Sequence, residues 1–120
     1  MKAVTPPDTG VCSQFHEAIE LIGRRWSGAI IFVLMRSRAR FAEIRGAIPD
    51  MTDRMLSERL QELELEGIVA RTVVPDTPVR VEYALTKKGQ ALVPVVDAIV
   101  DWAHKWGDAA PGKKVRKRSA

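Results

Sequence analysis

Between Arg40 and Leu63 the chain reads RFAEIRGAIPDMTDRMLSERLQEL, a segment whose polar residues are of the types that bind phosphates and base edges. At 100° per residue, Leu56, Leu60 and Leu63 fall on one narrow face of a helix, and Arg54, Ser57, Glu58 and Gln61 fall on the opposite one. A helix that enters the major groove of duplex DNA needs this arrangement: an apolar back to anchor it and hydrogen-bonding side chains near its N-terminus to meet base edges. On this reading Arg54 contacts guanine or phosphate, Thr52 and Ser57 hold phosphates or read bases, and Arg59 flanks the face as a phosphate clamp. Asp53, Glu58 and Gln61 complete the candidate face, and Arg40, Arg45 and Arg80 add cations around it. Any solvated surface helix also turns its polar groups outward, so the face takes its meaning from the elements that position it.

Those elements can be read along the chain. Ser13 is a candidate N-cap for a first helix, in which Phe15, Ala18, Ile19 and Ile22 recur at helical spacing until Gly23. A second helix is expected from about Arg25 to Met35; its GAIIFVLM run is apolar nearly all round, the mark of a central helix. Arg38 to Arg40 leaves room for only a very short strand. A third helix covers roughly Phe41 to Ala47 and is broken at Ile48-Pro49-Asp50. Thr52 then caps a fourth helix from about Asp53 to Glu66, with Asp53 at its positive end and Gly67 as its stop. The period then changes: residues 68–74 and 79–85 read as two strands around the turn Pro75-Asp76-Thr77-Pro78. Thr86 caps a last helix to about Trp106, loosened or kinked in its first half by Gly89 and Pro94. The expected fold is α+β and mostly α: a winged helix-turn-helix with a two-stranded β-hairpin wing between N- and C-terminal helices. In the wing, Arg80 and Pro78 either approach the minor groove or backbone or belong to a solvated loop.

Bulk properties agree with one domain. The chain has 120 residues, 46% of them hydrophobic and 28% charged. It divides into a domain at 12–107 between disordered ends at 1–11 and 108–120. The formal charge of +4 is misleading, because five of the 19 Lys+Arg lie in the KKVRKR run at 113–118, which leaves 14 against 15 Asp+Glu elsewhere. The body is uneven: eight Arg and four acids in 24–59, five bases and eight acids in 60–110. A local arginine-rich segment matters more for nucleic acid than overall basicity, since phosphate attraction depends on where the charges sit. The tail either strengthens non-specific DNA binding or is a solubilising end. No apolar run approaches the ~20 residues of a membrane span, and MKAVTPPDTG lacks a secretory h-region. A cytoplasmic, bacterial-type, nucleoid-associated protein is expected. One cysteine permits no internal disulfide and no zinc-like pair, so neither a metal among Cys12, His16 and His104 nor a cofactor is expected. No Ser/His/Asp set, phosphate-binding glycine loop or paired carboxylates point to an enzyme.

In four stretches the sequence resembles HxlR-type regulators, a family related to the MarR winged-helix proteins: AIELIGRRWSGAIIFVL (18–34), RFAEIRGAIPDMTDRMLSERLQELELEGIV (40–69), VRVEYALTKKGQAL (79–92) and PVVDAIVDWAHKW (94–106). Arg24-Arg25-Trp26 stands where that family usually has a Gly-Lys-Trp-like run. The resemblance implies a homodimer built from the first and last helices, presenting two recognition helices to a palindromic site whose half-sites lie about 34–36 Å apart. The residues agree: Phe15, Ile19, Ile22, Val95, Val96, Ile99, Trp102, Ala103 and Trp106 exceed the apolar surface that one small domain needs, although the stripe could also pack within the monomer.

Several HxlR-type regulators also carry a lone cysteine near the first helix, used in some to sense oxidants or electrophiles, and Cys12 occupies the matching place. Here Ser13 follows it, where the family pattern has Pro. A thiol near a helix N-terminus has its thiolate favoured by the dipole. Arg24, Arg25 or a protonated His16 are candidate helpers, and a disulfide between two subunits is a candidate product. A lone cysteine is equally at home as a small hydrophobe. Two other functions remain open: a small-molecule-responsive regulator with its pocket at the dimer interface, and a winged-helix protein–protein adaptor that does not touch DNA.

Overall fold

The computed structural model describes residues 12–107; the expected disordered ends, including the 113–118 basic run, lie outside them. The elements are α1 (Ser13–Gly23), α2 (Ser27–Leu34), β1 (Ala39–Arg40), α3 (Phe41–Ala47), α4 (Asp53–Leu65), β2 (Val69–Val74), β3 (Arg80–Leu85), α5 (Lys87–Gln90) and α6 (Val93–Trp106). This is the expected mostly helical winged helix-turn-helix. The wing gains a strand: β1 pairs antiparallel with β3, giving the sheet order β1-β3-β2. Ala39 lies opposite Tyr83, and β2 and β3 pair from Val69↔Leu85 to Val74↔Arg80.

The core forms around α2, whose Ile30, Ile31 and Leu34 are buried. Ile44 of α3, Met51 of the turn, Leu56, Leu60 and Leu63 of α4, Ile68 and Val69 at the head of β2, and Val96 of α6 join them. Each fully buried aliphatic side chain stabilises the fold by about 1.5–3 kcal/mol relative to exposure. The three leucines of α4 therefore hold that helix far more firmly than any surface ion pair could.

Four local expectations are corrected. Helix α1 is capped by Cys12 rather than Ser13, the cysteine Sγ accepting the Phe15 amide at 3.2 Å. Helix α2 begins at Ser27 rather than Arg25, because Trp26 adopts the left-handed conformation at φ 76 and breaks the helical path. That conformation is costly for a bulky residue; the Trp26 ring packs against the core, and the Arg25 guanidinium sits over it at 5.1 Å. The single helix expected after Thr86 is two helices, α5 and α6. Thr86 caps only α5, where the Gly89 amide donates to Thr86 Oγ1 at 3.1 Å. Pro94 lies in the first turn of α6, where a missing N–H costs nothing. Finally, Val96 faces the monomer's own core and is 5% exposed, so it leaves the proposed dimer stripe. One side of α6 must cover α2, and Val96 is on that side.

Candidate nucleic-acid interface

Helix α3, the Pro49-Asp50-Met51 turn and α4 form the helix-turn-helix. Met51 is buried and its amide donates to the Ile48 carbonyl at 3.1 Å, which closes the turn. Thr52 caps α4 by accepting the Met55 amide at 3.1 Å. Arg45 reaches across from α3: its Nε lies 2.6 Å from Asp53 Oδ1 and its Nη1 donates to the Ile48 carbonyl at 3.2 Å. Thr52, Asp53 and Arg45 thus fix the N-terminal end of α4 before any ligand arrives.

Behind this end, Leu56, Leu60 and Leu63 are at most 1% exposed. On the outer face Arg54, Ser57, Glu58 and Gln61 are exposed. The Arg54 side chain is 88% exposed and is met by Glu58 at 3.2 Å, one turn along. An exposed i,i+4 pair of this kind is weak, so the guanidinium can exchange its carboxylate for a better acceptor. Arg40 is exposed at the start of α3; its amide donates to Glu43 Oε1 at 2.7 Å and its guanidinium lies 3.8 Å from the same carboxylate.

Arg59 is corrected. Its side chain is only 14% exposed. Its Nε donates to the Arg25 carbonyl at 3.0 Å and its Nη1 to Glu62 at 3.3 Å. It holds α4 to the α1–α2 corner and is not free to clamp a phosphate.

In the wing, Arg80 bridges Asp76 and Glu82, with Nε 2.9 Å from Glu82 Oε2. Arg38 adds a longer contact to Glu82, at 3.5 Å. The hydrogen bond from Arg80 holds the Glu82 carboxyl below its ordinary value, and the hydrogen bonds to Glu82 and Asp76 raise Arg80 further. A lowered carboxyl contributes order that is present above its ordinary pKa of 4.5 and is lost as pH falls through the lower folded value. Arg80, raised further above its already high ordinary range, stays charged and contributes throughout any working pH. The expected result is that backbone NMR order of the 75–79 turn holds from pH 7 to about 5 and declines at more acidic pH. Glu82→Gln should abolish that acid-dependent step; an unchanged profile in the variant would assign the step to another group.

On the two terminal helices, Phe15 and Ile19 of α1 and Val95, Ile99, Trp102 and Trp106 of α6 stay exposed, from 42% at Val95 to 65% at Trp102. Ala103 is exposed beside them and Ile22 is half-buried. Cys12 is exposed at the tip of α1. Of the expected helpers, His16 lies one turn along, its amide donating to the Cys12 carbonyl at 3.1 Å and its ring 3.9 Å from Glu20, whereas Arg24 and Arg25 sit at the opposite end of the helix on Glu62 and Trp26. An open groove of about 990 Å³ runs beside α1, with Leu21, Arg24, Glu62, Ile68, Lys88 and Leu92 among its walls. Among the described residues no group of three or more His, Cys, Asp and Glu could hold a metal, and no helix is long and apolar enough to cross a membrane.

Sequence reasoning gave no role to Arg38, Glu62 or Glu82, and placed Arg24 beside Cys12 rather than on Glu62. The Arg59–Glu62 spacing of three residues carries a usable helical signal. Arg24 and Glu62 are 38 residues apart, so only folding brings them together.

A helix-turn-helix with an outward polar helix, followed at once by a wing, defines the class: a winged helix-turn-helix transcription regulator. The HxlR-like helix-turn-helix family model matches residues 21–111, and the chain belongs to that family. It is 49% identical over 98 residues to YvaP, an uncharacterized HTH-type transcriptional regulator of Bacillus subtilis, covering 82% of this chain and 91% of that protein. The reduced form of the transcriptional regulator YodB from B. subtilis superposes with a TM-score of 0.76 at 45% identity, covering 83% of this chain and 98% of YodB. YodB has also been solved diamide-treated and quinone-bound, with TM-scores of 0.70 and 0.69. The redox regulator HypR in its reduced form gives a TM-score of 0.76 at 36% identity, covering 81% of this chain and 96% of HypR.

Proposed function

We propose that this chain is a sequence-specific, double-stranded-DNA-binding regulator that works in the bacterial cytoplasm as a homodimer and represses by occupying a palindromic operator. The observation that carries this reading is the division of α4: three leucines at most 1% exposed on one side, and Arg54, Ser57 and Gln61 open to solvent on the other. The exposed apolar faces of α1 and α6 support self-association, because Trp102, Trp106, Ile99 and Phe15 lie outside the core of the single chain. Cys12, exposed at the N-cap of α1, is the proposed oxidant- or electrophile-responsive group. The quinone-bound and diamide-treated forms of YodB and the redox description of HypR support that assignment.

Selection of bound duplexes from a random pool, with and without diamide, tests the whole reading. The expected product is an inverted repeat with half-sites one DNA turn apart. Diamide should release the wild-type protein and leave Cys12→Ser bound. A pool that never enriches leaves the protein–protein adaptor as the remaining function. Equal diamide sensitivity in Cys12→Ser removes the sensor role and keeps the DNA reader. The groove beside α1 favours a second reading, a small-molecule effector, which takes over if oxidants leave wild-type binding intact.

A further inference from the structure

Helix α4 is fixed at its N-terminal end by Arg45 and along its back by leucines. A third attachment, on its flank, joins it to a different part of the molecule. Arg24 Nη2 donates to Glu62 Oε2 at 3.1 Å. Arg24 Nε lies 2.8 Å from Glu62 Oε1, an oxygen shut off from water and held by this ion pair rather than by a directed hydrogen bond. Arg59 Nη1 meets the same Oε2 at 3.3 Å, and Arg59 Nε returns to the Arg25 carbonyl at 3.0 Å. One turn of α4 is therefore tied by two arginines and one carboxylate to residues 24 and 25, the corner that ends α1.

Apart from its packing against α2, helix α1 has little else to set its angle. It buries no residue, and only Leu21 among its apolar residues packs against the core. Yet α1 carries Phe15 and Ile19, its share of the proposed dimer surface. The attachment at Glu62 thus joins the reading helix to the helix that meets the partner. In a two-fold dimer the angle between those two helices sets the distance between the two reading helices, and so the half-site spacing the dimer accepts.

We propose that Arg24 and Glu62, with Arg59, are positioning residues that set the half-site spacing of the dimer without touching DNA. The inference rests on the dimeric DNA-reading function above. Individual exposed ion pairs contribute little to stability, but a two-pronged Arg–carboxylate contact that shares a third cation fixes direction. Loss of the clasp should leave the fold intact and free the angle. Lysine keeps the charge of Arg24 and loses the fork, so Arg24→Lys is not conservative for a clasp, whereas it would be for a simple phosphate contact.

The test uses the full chain and three duplexes: the selected operator, the same half-sites with one central base pair inserted, and the operator with one base changed inside a half-site. Wild-type protein should bind the inserted duplex more weakly than the operator. In Arg24→Lys and in Glu62→Gln that spacing penalty should shrink about tenfold, within the range of ordinary coupling between sites. The penalty for the changed base should stay within about twofold of wild type, as expected when the reading face itself is intact. Circular dichroism should show both variants folded. An undiminished spacing penalty in both variants overturns the proposal. So does an Arg24→Lys protein that behaves as wild type beside an Arg24→Ala protein that weakens uniformly on all three duplexes with a salt slope lower by about one, which would make Arg24 a phosphate contact. If selection returns no inverted repeat for the wild type, the dimeric reading fails first and takes this inference with it.

Discussion

Gly89→Ala lowers the stability of the folded chain by about 3 kcal/mol or more, seen as a fall of roughly 10–20 °C in the melting temperature. A Cβ at this position would lie 2.2 Å from the Ile68 carbonyl oxygen and 3.2 Å from both Ile68 C and Cγ2. No rotamer change relieves a clash with backbone. The carbonyl is itself committed, accepting the Thr86 amide at 3.0 Å and the Thr86 hydroxyl at 3.2 Å, and Ile68 is 1% exposed. To admit the methyl group, α5 would have to lift off the head of β2 and take the start of α6 with it. Gly46, with nothing within 4 Å of its Cβ position, is the control; alanine there should be neutral or stabilise by a few tenths of a kcal/mol. A Gly89→Ala protein that melts within about 4 °C of wild type would show that α5 can move away cheaply.

The second large effect falls on recognition. Arg54→Ala should cost about 1–3 kcal/mol of discrimination between the preferred duplex and one altered at the base Arg54 reads, roughly a 5- to 150-fold loss in the affinity ratio. The side chain stands 88% exposed, and its weak pairing with Glu58 holds it over the outer face of α4. Melting temperature should hardly move, because the leucines and not this arginine keep the helix in place. Paired binding titrations on the two duplexes, at two salt concentrations, separate the outcomes. Uniform weakening with a reduced salt slope would make Arg54 a phosphate contact. Unchanged discrimination would mean that another face of the protein reads DNA.

Much of this protein is legible in one dimension because its signals are local. The Leu56-Leu60-Leu63 stripe depends only on helical period, and Thr52 and Gly67 bracket α4 through the chemistry of caps, with Gly67 observed at φ 77. The turn at 75–78 separates two strands whose β-branched residues favour extended chain. The outward side of α4 follows from the inward side, so the candidate reading face came with the leucines.

Where the expectation erred, contacts distant in sequence had decided the matter. Arg59 looks like a phosphate clamp on a helical wheel, yet the Arg25 carbonyl, 34 residues away, claims its guanidinium. Val96 looks like part of the α6 surface stripe until α2 packs over it. The sequence predicts one helix from Thr86 to Trp106, loosened or kinked at Gly89 and Pro94; the close approach of Gly89 to Ile68, at the head of β2, accompanies a full division into two. His16 has the spacing to share a face with Cys12, and folding also brings its ring within 3.9 Å of Glu20.

The amino-acid order alone determined the element types, the inward face of α4 and the family resemblance, because caps, periods and turn residues act over a few positions of chain. Tertiary structure alone decided which cations are free and which are bound, and how α1 is tied to α4. Those outcomes depend on which carboxylates and carbonyls folding places within about 3 Å of each guanidinium, and side-chain type carries no record of distances across the fold.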